Sequence, residues 1–165
     1  MNGIGKRVAV VILVVATVGC DRVTKHFAAA ALTQMPSRSF LADTVRLEYV
    51  ENPGAFMGLG AEWPPKVRIA LFTVGNGLLL LAMAVAARRL RWSEPALVGL
   101  GLLLAGGGSN LADRVVRGSV IDFLNVGLGP LRTGIFNVAD MAVMLGVGMI
   151  VYGGYHAGEP TIPDS

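Results

Sequence analysis

Charge is what this chain has little of: Lys, Arg, Asp and Glu make up 15% of its 165 residues, against roughly 25% in an ordinary soluble domain. Because 53% of the residues are hydrophobic, a water-soluble globule is excluded and a membrane protein is expected. Cysteine is scarcer still. The one cysteine, Cys20, excludes an internal disulfide framework, and the two histidines, His26 and His156, stand at no metal-ligand spacing from it. Aromatic residues, at 7%, do not interleave with the bases, so the net charge of +3 reads as membrane topology and not as a nucleic-acid surface. No metal, cofactor or nucleic-acid partner is expected.

Apolar runs are what fills the chain. Residues 8–19 are uncharged and mostly apolar, Cys20-Asp21-Arg22-Val23-Thr24-Lys25-His26 interrupts them, and apolar residues return over 27–32. Lys6 and Arg7, an apolar core and then Gly19-Cys20 resemble a cleavable lipoprotein signal. Against cleavage, Thr17 stands where such a signal takes Leu or Val, and three more apolar spans follow. Residues 8–32 are therefore expected to form one uncleaved helix, longer than the ~20 residues a crossing needs. On it Asp21 and Lys25 share a face, either as a plain intrahelical ion pair or with a functional role.

Residues 33–66, with Pro36, Pro53, Pro64 and Pro65, should form an extracytoplasmic loop, and the alternation Val45-Arg46-Leu47-Glu48-Tyr49 predicts a half-buried strand in it. Further spans are expected at 69–87, closed by the bases from Arg88 to Arg91, at 96–112, and at 134–155, with a disordered tail over 157–165. Gly101, Ala105 and Gly106 can admit close helix packing. The expected fold is an all-α membrane bundle of four transmembrane helices with a small extracytoplasmic sheet, in one domain over 1–165. Lys6, Arg7 and the Arg88 to Arg91 cluster mark the side of both termini as cytoplasmic. Asp21, Asn52, Asn110, Asp113, Asp122 and Asp140 then converge on the outer face.

Two of these acids stand out. Asp122 interrupts the apolar pentad Val120-Ile121-Asp122-Phe123-Leu124 and is expected on a loop, while Asp140 opens the last span one helical turn after Asn137. If the two meet, one keeps its proton while the other stays basic, the arrangement that activates a water for hydrolysis. Spacing alone leaves open a plainer reading, in which Asp122 caps a turn and Asp140 a helix N-terminus. Asn52, in Asn52-Pro53-Gly54, is by spacing an ordinary turn residue, and Asp113 is expected to cap a helix end, with Arg114 free to hold a carboxylate.

Five short blocks in order, Asp21-Arg22-Val23-Thr24-Lys25, Asn52-Pro53-Gly54-Ala55, Asn110-Leu111-Ala112-Asp113-Arg114, Val120-Ile121-Asp122-Phe123 and Phe136-Asn137-Val138-Ala139-Asp140, closely resemble the lipoprotein signal peptidases, or signal peptidase II. The resemblance implies an aspartic endopeptidase of the bacterial inner membrane that needs no cofactor; a monomer is expected. Its substrate would be a prolipoprotein, cut just before the cysteine that carries a diacylglyceryl group. Asp122 and Asp140 match the catalytic pair. Asn52, Asn110, Arg114 and Asn137 match polar residues lining the site, and Asp21 and Lys25 match the first motif. Arg22 stands where Gln is common, Ser109 where Gly usually precedes the Asn, and Phe56 follows Ala55 directly.

Two other classes compete. In a proton-coupled transporter Asp21, Asp113, Asp122 and Asp140 would form a relay through the membrane, yet the second span carries no acid and the third and fourth carry theirs at one end. The other is a noncatalytic membrane scaffold.

Overall fold

The computed structural model describes residues 3–89 and 92–157; the tail expected to be disordered lies outside them from residue 158 on, as do Leu90 and Arg91. Helix α1 (Gly3–Leu32) is followed by strands β1 (Arg38–Phe40) and β2 (Val45–Asn52) and a single 3-10 turn, Phe56–Gly58. Then come helix α2 (Pro65–Arg89), helix α3 (Glu94–Arg117), strands β3 (Val120–Leu128) and β4 (Leu131–Arg132), and helix α4 (Val138–Ala157).

Among the described residues, three helices, Pro65–Arg89, Glu94–Arg117 and Val138–Tyr155, are long and apolar enough to cross a membrane. Helix α1 has the length, 30 residues, but Lys6 and Arg7 at one end and Asp21, Arg22 and Lys25 toward the other shorten its uncharged stretch. Its outer face is nevertheless apolar, with Val11, Ile12, Val15 and Phe27 all exposed. Leu78, Leu79 and Leu81 of α2 and Met144, Leu145 and Val151 of α4 are exposed too. So much uncovered apolar surface suits lipid as the solvent.

Small residues bring α3 and α4 together. A Cβ at Gly99 would stand 2.5 Å from the carbonyl oxygen of Gly146, one at Gly106 would strike the carbonyl of Ala139, and one at Gly153 would stand 2.5 Å from the Ser93 hydroxyl. Each partner recurs two turns along its helix, so the antiparallel pair meets backbone to backbone along one seam. Of the small residues expected to matter, Gly106 sits on this seam, Gly101 faces Val10 and Val14 of α1, and Ala105 is buried. Because Gly106 abuts Ala139, Asn110, one turn further on, arrives beside the start of α4.

The sheet is antiparallel in the order β1-β2-β3-β4, with β2 and β3 paired from Val45↔Val126 to Asn52↔Val120. It is larger than the alternation at residues 45–49 predicted, because β3 and β4 come from the segment between α3 and α4. Between Leu47 and Val50 the register shifts, so β2 carries one extra residue, and such bulges re-aim the side chains beyond them. The sheet rests on the end of α1, where Ala28, Leu32 and Phe123 form a small core flanked by Leu47, Tyr49, Leu124 and Val138. At the far end, Leu41, Ala42 and Asp43 all take positive φ. Arg46 holds this turn by donating to both carboxylate oxygens of Asp43 (2.7 and 2.5 Å). Hydrogen bonds from Arg46 and Ser39 keep the Asp43 carboxyl well below the usual carboxylate range.

Asp122 is on strand β3, not on a loop. Val120, Ile121, Asp122 and Phe123 are all buried, so both faces of the strand are covered and the period-two alternation that marks a half-buried strand is missing. Helix α3 also runs past the expected residue 112 to Arg117, ending at Gly118 with φ 77°, which puts Asp113 and Arg114 inside the helix.

Candidate active site

Asn137 is the N-cap of α4, fully buried. Its side-chain oxygen accepts from the Asp140 amide (2.9 Å) and its own amide donates to Asp140 Oδ2 (3.2 Å), the reciprocal arrangement of a capping box. The rest of the side chain reaches outward. Asn137 Nδ2 donates to Asp122 Oδ1 at 2.6 Å. One asparagine thus touches both acids, one on a strand and one on a helix.

Each acid has a second amide. Asn52 Nδ2 donates to Asp122 Oδ2 (2.9 Å) and to the carbonyl of Ala55 (3.0 Å), while its Oδ1 accepts from the Gly54 amide (2.9 Å). Asn52 is therefore more than a turn residue. The turn needs glycine at 54, where a Cβ would lie 2.5 Å from the Leu59 carbonyl oxygen. On the other side Asn110 Nδ2 donates to Asp140 Oδ1 at 2.8 Å. Among the described residues no cation hydrogen-bonds either acid. Arg114, expected to hold a carboxylate, donates instead to the carbonyl of Gly54 (2.8 Å) and pins the Asn52 turn to α3. Its Nε is buried with no partner among the described residues.

Asp122 is 2% exposed, and its carboxyl is pushed up to about 6. Burial is the main cause and the Asp140 charge adds to it; hydrogen bonds from Asn52 and Asn137 and the Lys25 charge pull the other way. Burial penalises the ionised form, so this acid is poised to exchange a proton near neutrality.

Behind the two acids lies a second buried cluster. Lys25 Nζ donates to Asp113 Oδ2 (2.8 Å) and Asn110 Oδ1 (2.7 Å) and forms an ion pair with Asp21 Oδ2 at 2.8 Å. It thereby turns the Asn110 oxygen inward and the Asn110 NH2 toward Asp140. Asp21 also accepts from Ser109 Oγ (2.6 Å) and from the Ala139 amide (3.0 Å), tying α1 to α3 and to the start of α4. Thr24, beside Lys25, bonds only the carbonyls of Cys20 and Asp21 in its own helix. Asp113, expected as a cap, is the shared partner of Lys25 and of Arg22, whose NH1 donates to Asp113 Oδ1 at 2.6 Å. Arg22 and Ser109 were not among the expected site residues. Both are positions at which the chain departs from the resemblance, and they meet: Arg22 Nε donates to Ser109 Oγ at 3.1 Å, and its NH2 also donates to the Ser109 carbonyl.

The acids face open space. Asp140, Asn110 and Arg114 line a cavity of about 360 Å³ with apolar walls including Phe72, Leu79 and Val143. Asp122 and Asn52 line a smaller cleft of about 170 Å³ with Met57 and Ile135. Roomier grooves of about 450 and 520 Å³ occur elsewhere, away from both acids. Apolar walls around a few converging polar groups suit an amphiphilic ligand. Among the described residues no acid, histidine and cysteine cluster could hold a metal ion.

Known proteins bear on this geometry. The sequence model of the family described as signal peptidase (SPase) II matches residues 13–155. The lipoprotein signal peptidase of Streptomyces griseus is 32% identical over 158 residues, spanning 90% of this chain and 75% of its own. That of Syntrophus aciditrophicus is 35% identical over 136 residues, 79% of this chain and 82% of its own. Among solved structures, a bacterial membrane enzyme superposes with a TM-score of 0.75 at 24% identity, covering 95% of this chain and 93% of that one, which supports the fold alone.

Proposed function

The chain belongs to the signal peptidase II family, and from that premise we propose that it is an aspartic endopeptidase acting on diacylglyceryl-modified prolipoproteins, cutting immediately before the lipidated cysteine. Membership implies signal peptidase activity in a membrane. The finer reading assigns catalysis to Asp122 and Asp140, with Asn52, Asn110, Asn137 and Arg114 as the residues that hold them and shape the site. The observation that carries it is Asn137, whose side chain bonds one acid and caps the helix of the other.

The chemistry follows from two acids and a shared proton. The ionised carboxylate takes a proton from a water whose oxygen attacks the scissile carbonyl carbon, and the protonated one stabilises the developing oxyanion. Collapse of the tetrahedral intermediate breaks the C–N bond, and the departing cysteine amine takes up a proton from the pair. No covalent intermediate forms. The coupled pair titrates as one unit, so neither acid has a fixed role.

Substrate would arrive by lateral diffusion, its acyl chains and signal helix already in lipid. Apolar cavity walls would cover it and exclude bulk water from the acids. We read α1 as the fourth crossing, since its buried charges point inward and its outer face is apolar. Both termini then lie on the cytoplasmic side of a bacterial inner membrane, with the acids near the outer face of a single-domain monomer. A proton relay is disfavoured, because Asp21 and Asp113 are locked to Lys25.

The test is incubation of purified protein with a diacylated precursor and its non-lipidated twin. Cleavage before the cysteine of the first alone is expected; an intact diacylated precursor would sink the reading.

A further inference from the structure

Helix α2 carries one polar feature that the chemistry above leaves unused. Between Arg68 and Arg88 its side chains are apolar except for Thr73 and Asn76. Asn76 follows directly on a π-helical stretch, Ile69–Gly75, and such widened turns shift the phase of a helix and recur at functional sites. Here the shift brings Asn76 to the wall of the cavity that Asn110, Arg114 and Asp140 line.

The amides of Asn52, Asn110 and Asn137 are all engaged. That of Asn76 bonds to no described residue, and on the same cavity wall Arg114 Nε is also without an acceptor. An unpaired amide at membrane depth is costly to keep. Its depth follows from packing. A Cβ at Gly77 would lie 3.6 Å from Leu111 Cδ2, and one at Gly107 would lie 2.8 Å from Leu80 Cδ2, so descending α2 from 77 to 80 descends α3 from 111 to 107. Asn76 is therefore level with Leu111, on the membrane side of Arg114.

We propose that Asn76 binds substrate, pairing with a main-chain peptide unit in the unwound end of the signal segment, on the N-terminal side of the bond that is cut. This rests on the peptidase reading. A helical signal segment satisfies its own backbone, but a segment extended into a protease site frees N–H and C=O groups where little water can reach them. Asn76 lies partway down the cavity wall, on the membrane side of Arg114 and above Leu79 and Gly107, along the path by which that segment rises. Its amide offers both donors and an acceptor and can answer a whole peptide unit, whereas a lipid ester presents acceptors alone.

Full-length protein in detergent, assayed with a diacylated precursor, tests this. Asn76→Leu should lower kcat/KM about 10-fold, the worth of one good hydrogen bond, while leaving the unfolding temperature at or above that of the wild type. A merely structural asparagine would move stability down instead. Asn76→Ala serves as the second variant where leucine does not fit. A precursor with a backbone ester replacing one amide just before the cut should lose rate with the wild type and lose none further with Asn76→Leu. Wild-type kcat/KM in both variants, or effects of variant and ester that simply multiply, would overturn the proposal. So would coupling of Asn76→Leu to an ether-linked lipid in place of the diacyl ester, which would assign the contact to the lipid. If the wild type leaves the precursor intact, the peptidase reading fails first and this inference falls with it.

Discussion

Two pairs of buried acids lie within a few turns of each other and are held in opposite ways. Asp21 and Asp113, 0% and 2% exposed, both pair with Lys25, and Asp113 adds Arg22. Asp122, equally buried at 2%, and half-buried Asp140 accept, among the described residues, only from asparagine side chains and one backbone amide. Cations commit a carboxylate to the ionised form, whereas neutral amides orient it and leave its proton negotiable. The first pair ties three helices together through its cations and the Ala139 amide; in the second, burial without a cation partner pushes the Asp122 carboxyl up. Burial alone therefore does not set how an acid is held.

The largest effect that separates the pairs is on turnover. Asp122→Asn or Asp140→Asn should each reduce cleavage of a diacylated precursor by about 10³-fold or more, within the range that acid–base groups supply, while the protein stays folded and inserted. The measurement is the rate of mature product formation by mass spectrometry. Residual cleavage within tenfold of wild type in either variant would dissolve the distinction between the pairs.

Next in size is stability, where the same substitution should act with opposite sign. Asp113→Asn leaves Lys25 and Arg22 short of a buried counter-charge and is expected to cost about 3 kcal/mol, the scale of breaking a buried pair. Asp122→Asn removes an acid that burial disfavours, and should leave the thermal midpoint near neutral pH equal to that of the wild type or above it. Thermal unfolding of both in one detergent decides the point. Equal losses would mean the two acids are compensated alike.

Much of this was legible in the chain and some was not, for physical reasons. Length, apolar runs and flanking bases gave the helices, and the ordered blocks around Asp21, Asn52, Asn110, Asp122 and Asn137 gave the family. Strand β3 was hidden, because a strand covered on both faces reads as a plain apolar run. The role of Asp113 was hidden by an underestimated helix: a span cut at the first charge stops at 112, while the buried ion pairs carry α3 to Arg117. Partners far apart in sequence, such as Arg22 with Ser109 or Asp21 with the Ala139 amide, leave no local period to read. The seam of Gly99, Gly106, Gly146 and Gly153 is periodic, but its pairing shows only once the helices are laid side by side.

A smaller effect is expected from pH. Folding raises the Asp122 carboxyl from 3.8 to about 6, so the folded state binds this proton more tightly than the unfolded one. Between those values unfolding releases it, and wild-type stability should fall as pH rises through the window, with the loss complete above about 6. Relative to Asp122→Asn, the wild type should lose on the order of 2 kcal/mol between pH 4 and pH 7, discounted from 1.36 per unit because the cleft admits water. Parallel stability curves for the two proteins across that range would show that burial does not raise the Asp122 carboxyl and would remove this distinction between the pairs.

The smallest expected effect sharpens the comparison from the side of the charged pair. Arg22 and Ser109, two of the three positions at which the chain departs from the resemblance, form one contact, since the guanidinium bonds both the hydroxyl and the carbonyl of Ser109 while pairing with Asp113. The Arg22 side chain is 41% exposed and Asp113 keeps Lys25 whatever happens at 22, so Arg22→Gln should cost only about 0.5–1 kcal/mol. Ser109→Gly should cost more, because the hydroxyl also donates to buried Asp21. If the two residues work as a unit, the double variant will be more stable than the sum of the single losses predicts, by about 0.5 kcal/mol or more. Strict additivity would mean that Arg22 merely decorates an ion pair which Lys25 already completes. In either case cleavage should change far less than stability, because neither residue bonds Asp122 or Asp140.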